Sequence, residues 1–381
     1  MKGRNWLWLA VLGAVVLLGL AACGGDDDDD ESAGAGTTGA AETQEPDKVT
    51  LQLKWVTQAQ FAGYYAALEQ GFYEDEALDV TIRPGGPDIV PEQVVLGGQA
   101  EFGINWLDNT LATRDQGGQI VNVAQVYARS GMTEITWKDT GLDTITDLRG
   151  KKVGVWLGGN EHKLFAALTK NGIDPQSDTQ IVAQPFDMNL FLNREVDAAA
   201  AMTYNELAQV LESENPDTGE LYQLEDLNVF LMSELGTGAL EDGIFVREDW
   251  IAEEANQDIA TRFLKASFKG WVYCRDNPDE CVQYVLDAGP TLGEGHQRWM
   301  MNEVNALIWP NEGGIGVMDE GDYETTTTIA KDYGIIKNEA GDEAYTSEYA
   351  EAAVQALEDE GVDVNGADWT KPEVEVTAGG E

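Results

Sequence analysis

Apolar and polar positions switch between two periods along the chain. Val49–Leu53 alternates with a period of two, as a half-buried strand does, and Phe61–Gln70 then repeats apolar residues at helical spacing. The exchange recurs with a strand over Val80–Arg83, a helix over Pro91–Gly97, a strand over Glu101–Asn105, a helix over Leu107–Gln116 and a strand over Val121–Tyr127. Gly71, Gly97 and Gly117 stand where helix C-termini favour a left-handed residue. A second cycle begins near Asp139. It predicts strands at Lys152–Val155, Gln180–Gln184 and Ala198–Met202, with helices over Glu161–Asn171, Phe186–Asn193 and Asn205–Glu214. Beyond Ile251 the pattern is mainly helical, over Ile259–Tyr273, Pro278–Ala288, Gln297–Ile308, Tyr323–Tyr333 and Tyr345–Glu358. Strands and helices in alternation predict an α/β fold with mostly parallel sheets flanked by helices.

The two cycles imply two lobes. The first takes residues 48–128 and returns with C-terminal helices over 236–345; the second takes 129–235; residues 346–381 form a C-terminal helix and acidic tail. Crossovers near Ala128–Gly131 and Gly236–Asp242 would form a hinge. Residues 1–22 read as a targeting segment. Lys2 and Arg4 precede an apolar run, Trp6–Leu20, that is too short and wrongly flanked for a stable membrane span. Leu20-Ala21-Ala22-Cys23 resembles a bacterial lipobox, which implies that Cys23 is lipidated and anchors an extracytoplasmic body to the cell membrane. An acidic, Gly- and Ser-containing stretch over 23–47 has nothing with which to build a core and reads as a disordered tether.

Charge narrows the partners. Asp and Glu number 69 against 23 Lys and Arg, a net charge of −46, so a nucleic acid is not expected: phosphate backbones need clustered cations. Solubility, in a saline habitat or an ordinary one, is the plainer meaning of such a surface. Cys274 and Cys281 flank a short loop, "YCRDNPDEC"; in an exported chain a disulfide is favoured, with free thiols or a metal site as the alternatives. His162 and His296 do not complete a metal-ligand spacing with these cysteines, and no cofactor is expected.

Open α/β sheets bind ligands beyond the carboxyl ends of their strands. There the chain places Trp55, Gln58 and Gln60 with Tyr64 a helical turn on; Asn105, Trp106 and Asp108; Trp156, Asn160 and Glu161; Tyr204, Asn205 and Glu206; and Glu241 and Asp242 near the second crossover. Indole and phenol faces can sandwich a flat ring, and amides and carboxylates can read its edge. Lys54 and Lys163 are the nearest cations, so a neutral or weakly basic heterocycle suits the set better than a phosphate. Each member also has a structural alternative. Trp55 could pack under its loop, Tyr64 or Tyr65 could be core, Asn160 could cap a helix, and Glu161 and Asp108 could serve helix dipoles.

At these positions the chain resembles a known family. "LKWVTQAQFAGYYAALEQGFYEDEALDV", "GGQAEFGI", "DLRGKKVGV" and "AMTYNE" are similar to the thiamine-pyrimidine synthase-like branch of periplasmic solute-binding proteins, over roughly Lys48 to Tyr345. The resemblance implies a two-lobed, type II periplasmic-binding fold closing on a small molecule, with an ABC permease and its ATPase as partners. It implies a thiamine pyrimidine precursor as leading ligand and riboflavin as its rival. Fungal members are instead enzymes. On that pattern their pyridoxal-phosphate Lys falls on Asn105, their consumed His on Asn109, and their Cys-rich iron-binding run on Thr237–Glu241, which holds no cysteine. A Schiff base needs a Lys amine. A monomeric, lipid-anchored importer receptor is therefore expected, ahead of a synthase and of a sensor or adhesion lipoprotein.

Overall fold

The computed structural model describes residues 45–381. The expected signal segment, Cys23 and all but the end of the tether lie outside the described residues. Asp47, read as tether, instead opens the first strand: it pairs with Leu78, and Arg262 holds its carboxylate at 2.7 Å.

Among the described residues, ten strands form two five-stranded sheets. In chain order they are β1 (Asp47–Gln52), β2 (Leu78–Arg83), β3 (Phe102–Asn105), β4 (Ile120–Gln125), β5 (Met132–Trp137), β6 (Lys152–Val155), β7 (Gln180–Ala183), β8 (Ala198–Met202), β9 (Leu227–Leu231) and β10 (Gly243–Arg247). The first sheet runs β2-β1-β3-β10-β4 and the second β7-β6-β8-β5-β9. In the first, β10 is antiparallel to β3 and β4 while β1 is parallel to β2 and β3. The second repeats the plan, with β5 antiparallel to β8 and β9. Each sheet therefore keeps one direction except for a single strand delivered by, or just after, a crossover from the other sheet. These reversed strands, and β9, were absent from the sequence-based expectation.

The missed strands have a physical reason. β5 reads MTEITW, with three polar residues, yet all six are buried because β5 lies inside its sheet between β8 and β9. β8, a strand the sequence did predict, is four alanines and a methionine, poor by propensity, and is likewise wholly buried. Burial on both faces decides these segments. Helix ends differ from expectation in detail. Gly71 and Gly117 have the left-handed φ of 74° and 94°, but Gly97 is right-handed at −75° and Gly98 takes the left-handed turn at 66°. Only Asn189–Leu192 of Phe186–Asn193 is helical.

The chain crosses between sheets over 126–131 and 232–242. Glu241 ties these crossovers together: its carboxylate accepts from Ser130 Oγ at 2.6 Å and from the Gly131 amide at 2.8 Å. The helix Glu254–Asp276 packs along the first lobe, and Cys274 at its end is disulfide-bonded to Cys281 in the helix Pro278–Ala288. The second lobe has its own cluster, where Trp137 and Phe191 stack at 4.6 Å.

Candidate functional site

The carboxyl ends of β1, β3, β6 and β8 converge on one small cavity, whose empty space together with the solvent at its mouth is about 340 Å³. Lys54, Trp55, Gln58, Gln60 and Trp106 line it from the first lobe; Trp156, Asn160, Met202, Tyr204, Asn205 and Glu206 line it from the second. A wider compartment of about 950 Å³, open to solvent, lies beside it and shares Lys54, Trp55 and Asn160; Asn105, Asn109 and His162 are among its other walls. The lobes meet at this level. Trp55 lies edge-on to Phe186 at 5.8 Å, and Lys163 of the helix His162–Lys170 reaches across to first-lobe acids.

The first-lobe wall is held by a relay. Gln58 Nε2 donates to Gln60 Oε1 at 2.7 Å, and Gln60 Nε2 donates to Asp242 Oδ2 at 2.7 Å. Gln60 is thus committed at both ends, while Gln58 retains its oxygen as an acceptor. Lys54 Nζ donates to Asn105 Oδ1 at 2.7 Å and sits 4.4 Å from the Trp106 ring centre. Burial lowers the Lys54 pKa, against the opposing pull of Asp242 and Glu92.

On the second-lobe wall, Tyr204 is buried, with its ring edge-on to Tyr127 at 6.3 Å. Glu206 follows it. Its carboxylate accepts from the Met202 amide at 3.0 Å and from Asn205 Nδ2 at 2.8 Å, yet desolvation outweighs both and lifts its pKa to about 7. Trp156 is fixed by its indole N–H, which donates to the Pro185 carbonyl at 3.1 Å.

The structure separates the remaining candidates from the inner wall. Tyr64 is core, edge-on to Trp271 at 5.6 Å, and Tyr65 is buried as well. Asn105 lines only the outer compartment, where its Nδ2 donates to Glu92 at 2.7 Å. Asp108 is fully buried beneath the cleft. Burial would raise its carboxyl, but Lys163 and the His162 hydrogen bond hold it down at about 2. Glu161 turns back on its own loop: its side chain accepts from the Gly159 amide at 2.8 Å, and it occupies the helix N-cap position expected for Asn160. Glu241 braces the crossovers. Asp242 stands behind Gln60, its carboxyl raised to about 6 by burial despite that hydrogen bond. Sequence reasoning left out Met202, the last residue of β8, and treated Lys54 only as a nearby cation, although it follows Leu53 at the very strand end where ligands are sought. It gave no role to His296, which no strand end signals.

Four aromatic rings thus face a space edged by amides, one carboxyl group and one ammonium. Such a wall can stack a flat ring and exchange hydrogen bonds with its edge. Lys54 is already paired and acids surround it, so a phosphate would find little compensation for its desolvation.

Comparison with known proteins agrees with this architecture. The chain is 25% identical to the riboflavin-binding protein RibY of Chloroflexus aurantiacus over 353 residues, 89% of this chain and 96% of that one. It is 23% identical to the formylaminopyrimidine-binding protein of Halalkalibacterium halodurans over 253 residues, 66% of this chain and 73% of that one. It is also 25% identical to a 4-amino-5-hydroxymethyl-2-methylpyrimidine phosphate synthase of Legionella pneumophila over 250 residues, 64% and 75% of the two chains. Among solved structures, the periplasmic nitrate-binding protein NrtA of Synechocystis superposes with a TM-score of 0.60 at 13% identity, over 85% of this chain and 92% of that one, a likeness of fold. Residues 58–281 match the family described as NMT1/THI5 like, and the chain belongs to that family.

Proposed function

We propose that this protein is the extracytoplasmic solute receptor of an ABC importer, held to the membrane by lipid on Cys23, and that it captures a planar heteroaromatic vitamin or vitamin precursor. The observation that carries the reading is the pairing of Trp55 and Tyr204, from different lobes, on one cavity at the strand ends. Each good aromatic pair adds about 0.5–1.5 kcal/mol beyond burial, and lobe closure brings the faces together as in hinge-closing receptors. Relatives named as binding proteins support the receptor role.

A thiamine pyrimidine precursor is the first ligand, because an aminopyrimidine edge donates to a carboxylate such as Glu206. Riboflavin is the second. It is favoured by the outer compartment, which adjoins the ring cavity through Lys54, Trp55 and Asn160 and offers Asn105, Asn109 and His162 to a polyhydroxylated chain. The synthase reading is weaker. Asn105, at the position of the enzymes' Lys, bears no amine and is bound to Lys54 and Glu92.

Mass spectrometry of the small molecule released on denaturing the gently extracted protein tests the ligand. Titration of tryptophan emission with riboflavin and with 4-amino-5-hydroxymethyl-2-methylpyrimidine ranks the two. Failure of both to bind, with no aromatic compound released, overturns the reading. For the anchor, a Cys23→Ala variant is expected to leave the detergent phase; full retention there removes the lipid from the proposal.

A further inference from the structure

The helix Glu294–Ile308 stands against both walls of the cavity. Toward the first lobe, Gln297 Oε1 accepts from the Ala59 amide at 2.7 Å, and Met300 Sδ lies 3.2 Å from the Gln60 amide. Toward the second lobe, the preceding residue His296 sets Nε2 2.9 Å from Asn205 Oδ1 and Nδ1 2.9 and 3.0 Å from the two Glu212 oxygens. Trp299 adds a bond from its indole N–H to the Thr203 carbonyl at 2.9 Å. Adjacent residues of one helix therefore grip the loops that carry opposite walls.

The His296 contact continues into the cavity. Asn205 Nδ2 donates to Glu206 Oε1 at 2.8 Å, while Gln209 Nε2 donates to the same Asn205 oxygen that His296 faces, at 3.2 Å. An amide has one donor end and one acceptor end. When His296 carries a proton on both ring nitrogens, Nδ1 donates to Glu212 and Nε2 to Asn205 Oδ1; with Gln209 on the same oxygen, Asn205 then presents its NH₂ group to Glu206. Turned over, it would set its oxygen against the Glu206 carboxyl. The C-terminal segment closes over this pair: the Gly379 amide donates to the Glu212 carbonyl at 2.8 Å. Gly380 lies so near that an added Cβ would come 2.8 Å from His296 Cβ and 3.0 Å from Glu212 Oε2.

We propose that His296 is a positioning residue for ligand recognition: clamped to Glu212, it fixes the orientation of Asn205 and through it the side chain of Glu206 that meets the ring edge. The proposal rests on reading the cavity as the ligand site. His296 itself does not line the cavity and acts only through Asn205. Ligands that donate a hydrogen bond to Glu206 depend on it; contacts made by stacking alone do not.

The test is a binding cycle on the intact mature protein, with riboflavin and 4-amino-5-hydroxymethyl-2-methylpyrimidine as probes and thermal unfolding recorded alongside. His296→Leu, which removes both ring nitrogens, is expected to weaken the binding probe at least tenfold. His296→Gln, which returns one donor, is expected to recover most of that loss, a rescue that also guards against simple misfolding. In the Glu206→Gln background His296→Leu should add little, since coupled residues are non-additive. Wild-type affinity in His296→Leu, or losses that add in full, overturns the positioning role. Unchanged affinity in both Trp55→Ala and Glu206→Gln instead overturns the site reading, and the proposal with it.

Discussion

The Lys163 ammonium lies 3.6 Å from the centre of the Trp106 ring and has no hydrogen-bond acceptor among the described residues. Lys163 belongs to the second lobe and Trp106 to the first. The same Nζ is 3.7 Å from Glu241 Oε1 and 3.9 Å from Asp108 Oδ1, and all three side chains are fully buried. One cation thus bridges the floor of the cleft and separates two buried acids.

Replacing Lys163 by Met keeps the bulk and removes the charge. Breaking a buried ion pair from one side costs about 3–5 kcal/mol, because the partners stay buried and uncompensated. Lys163→Met should therefore lower the thermal midpoint markedly, and adding Asp108→Asn should restore part of it. A midpoint unchanged in the single variant would show that the ammonium contributes no net stability.

Trp55→Ala and Tyr204→Ala test the ring sandwich from each lobe. Each should weaken ligand binding by about 1–3 kcal/mol, the scale of a base stacked on an aromatic side chain. Tyr204 is 2% exposed, so its variant also loses core packing and should unfold at lower temperature. Trp55 is only partly buried and should lose affinity with little change in stability. Isothermal titration beside a melting curve separates these effects.

The elements that sequence made legible are those whose apolar pattern stops at a clear break. β1, β3, β6 and β8 each end an apolar run at a break, and the cavity gathers at those ends. The reversed strands were hidden for a different reason. β10 owes its place between β3 and β4 to a chain return that no local pattern encodes, and Glu134 in β5 is a fully buried acid that any hydropathy reading marks as surface. The same ambiguity divides the candidate site. Trp106 lines the cavity and Asp108 lies under it, although both are buried and two residues apart. Sequence locates a strand end but cannot tell which of its neighbours points outward. His296 was invisible because its role depends on a helix about 90 residues from Asn205.

The crossing of the helices Ala62–Glu69 and Glu254–Asp276 leaves room only for hydrogen at Gly270. An added Cβ would come 2.1 Å from the Gly63 carbonyl oxygen and 2.9 Å from Ala67 Cβ. Gly270→Ala should force the helices apart and cost about 1–3 kcal/mol, as overpacking does. Equal thermal midpoints for variant and wild type would mean that the helices separate freely.

The disulfide between Cys274 and Cys281 closes a loop of sequence separation 7. The chain-entropy account gives such a short loop about 2–3 kcal/mol. Cys274→Ser with Cys281→Ser should unfold at lower denaturant but keep ligand affinity, since neither residue lines the cavity. Altered affinity in that variant would reveal coupling between this loop and the site.

Glu206 gives the site a pH dependence with a definite sign. Burial raises its folded pKa from the ordinary glutamate value of 4.5 to about 7. Between these values the folded chain keeps a proton that the unfolded chain has lost. Stability is therefore highest below about 4.5 and falls as pH rises through about 7. Asp242 acts the same way between 3.8 and about 6. Asp108, depressed to about 2, adds stability that is complete above 3.8 and so is constant in this window. Glu206→Gln cannot ionise and should gain stability relative to wild type as pH rises, by up to about 3 kcal/mol. Binding should run the other way. A ring that donates N–H to Glu206 favours the carboxylate, so its affinity should rise from about pH 5 to about pH 7 and then level, with proton release on binding. A ligand that only accepts would show the reverse. Measuring affinity and stability across that range in wild type and Glu206→Gln decides the matter: parallel pH profiles in the two proteins would mean that Glu206 does not meet the ligand.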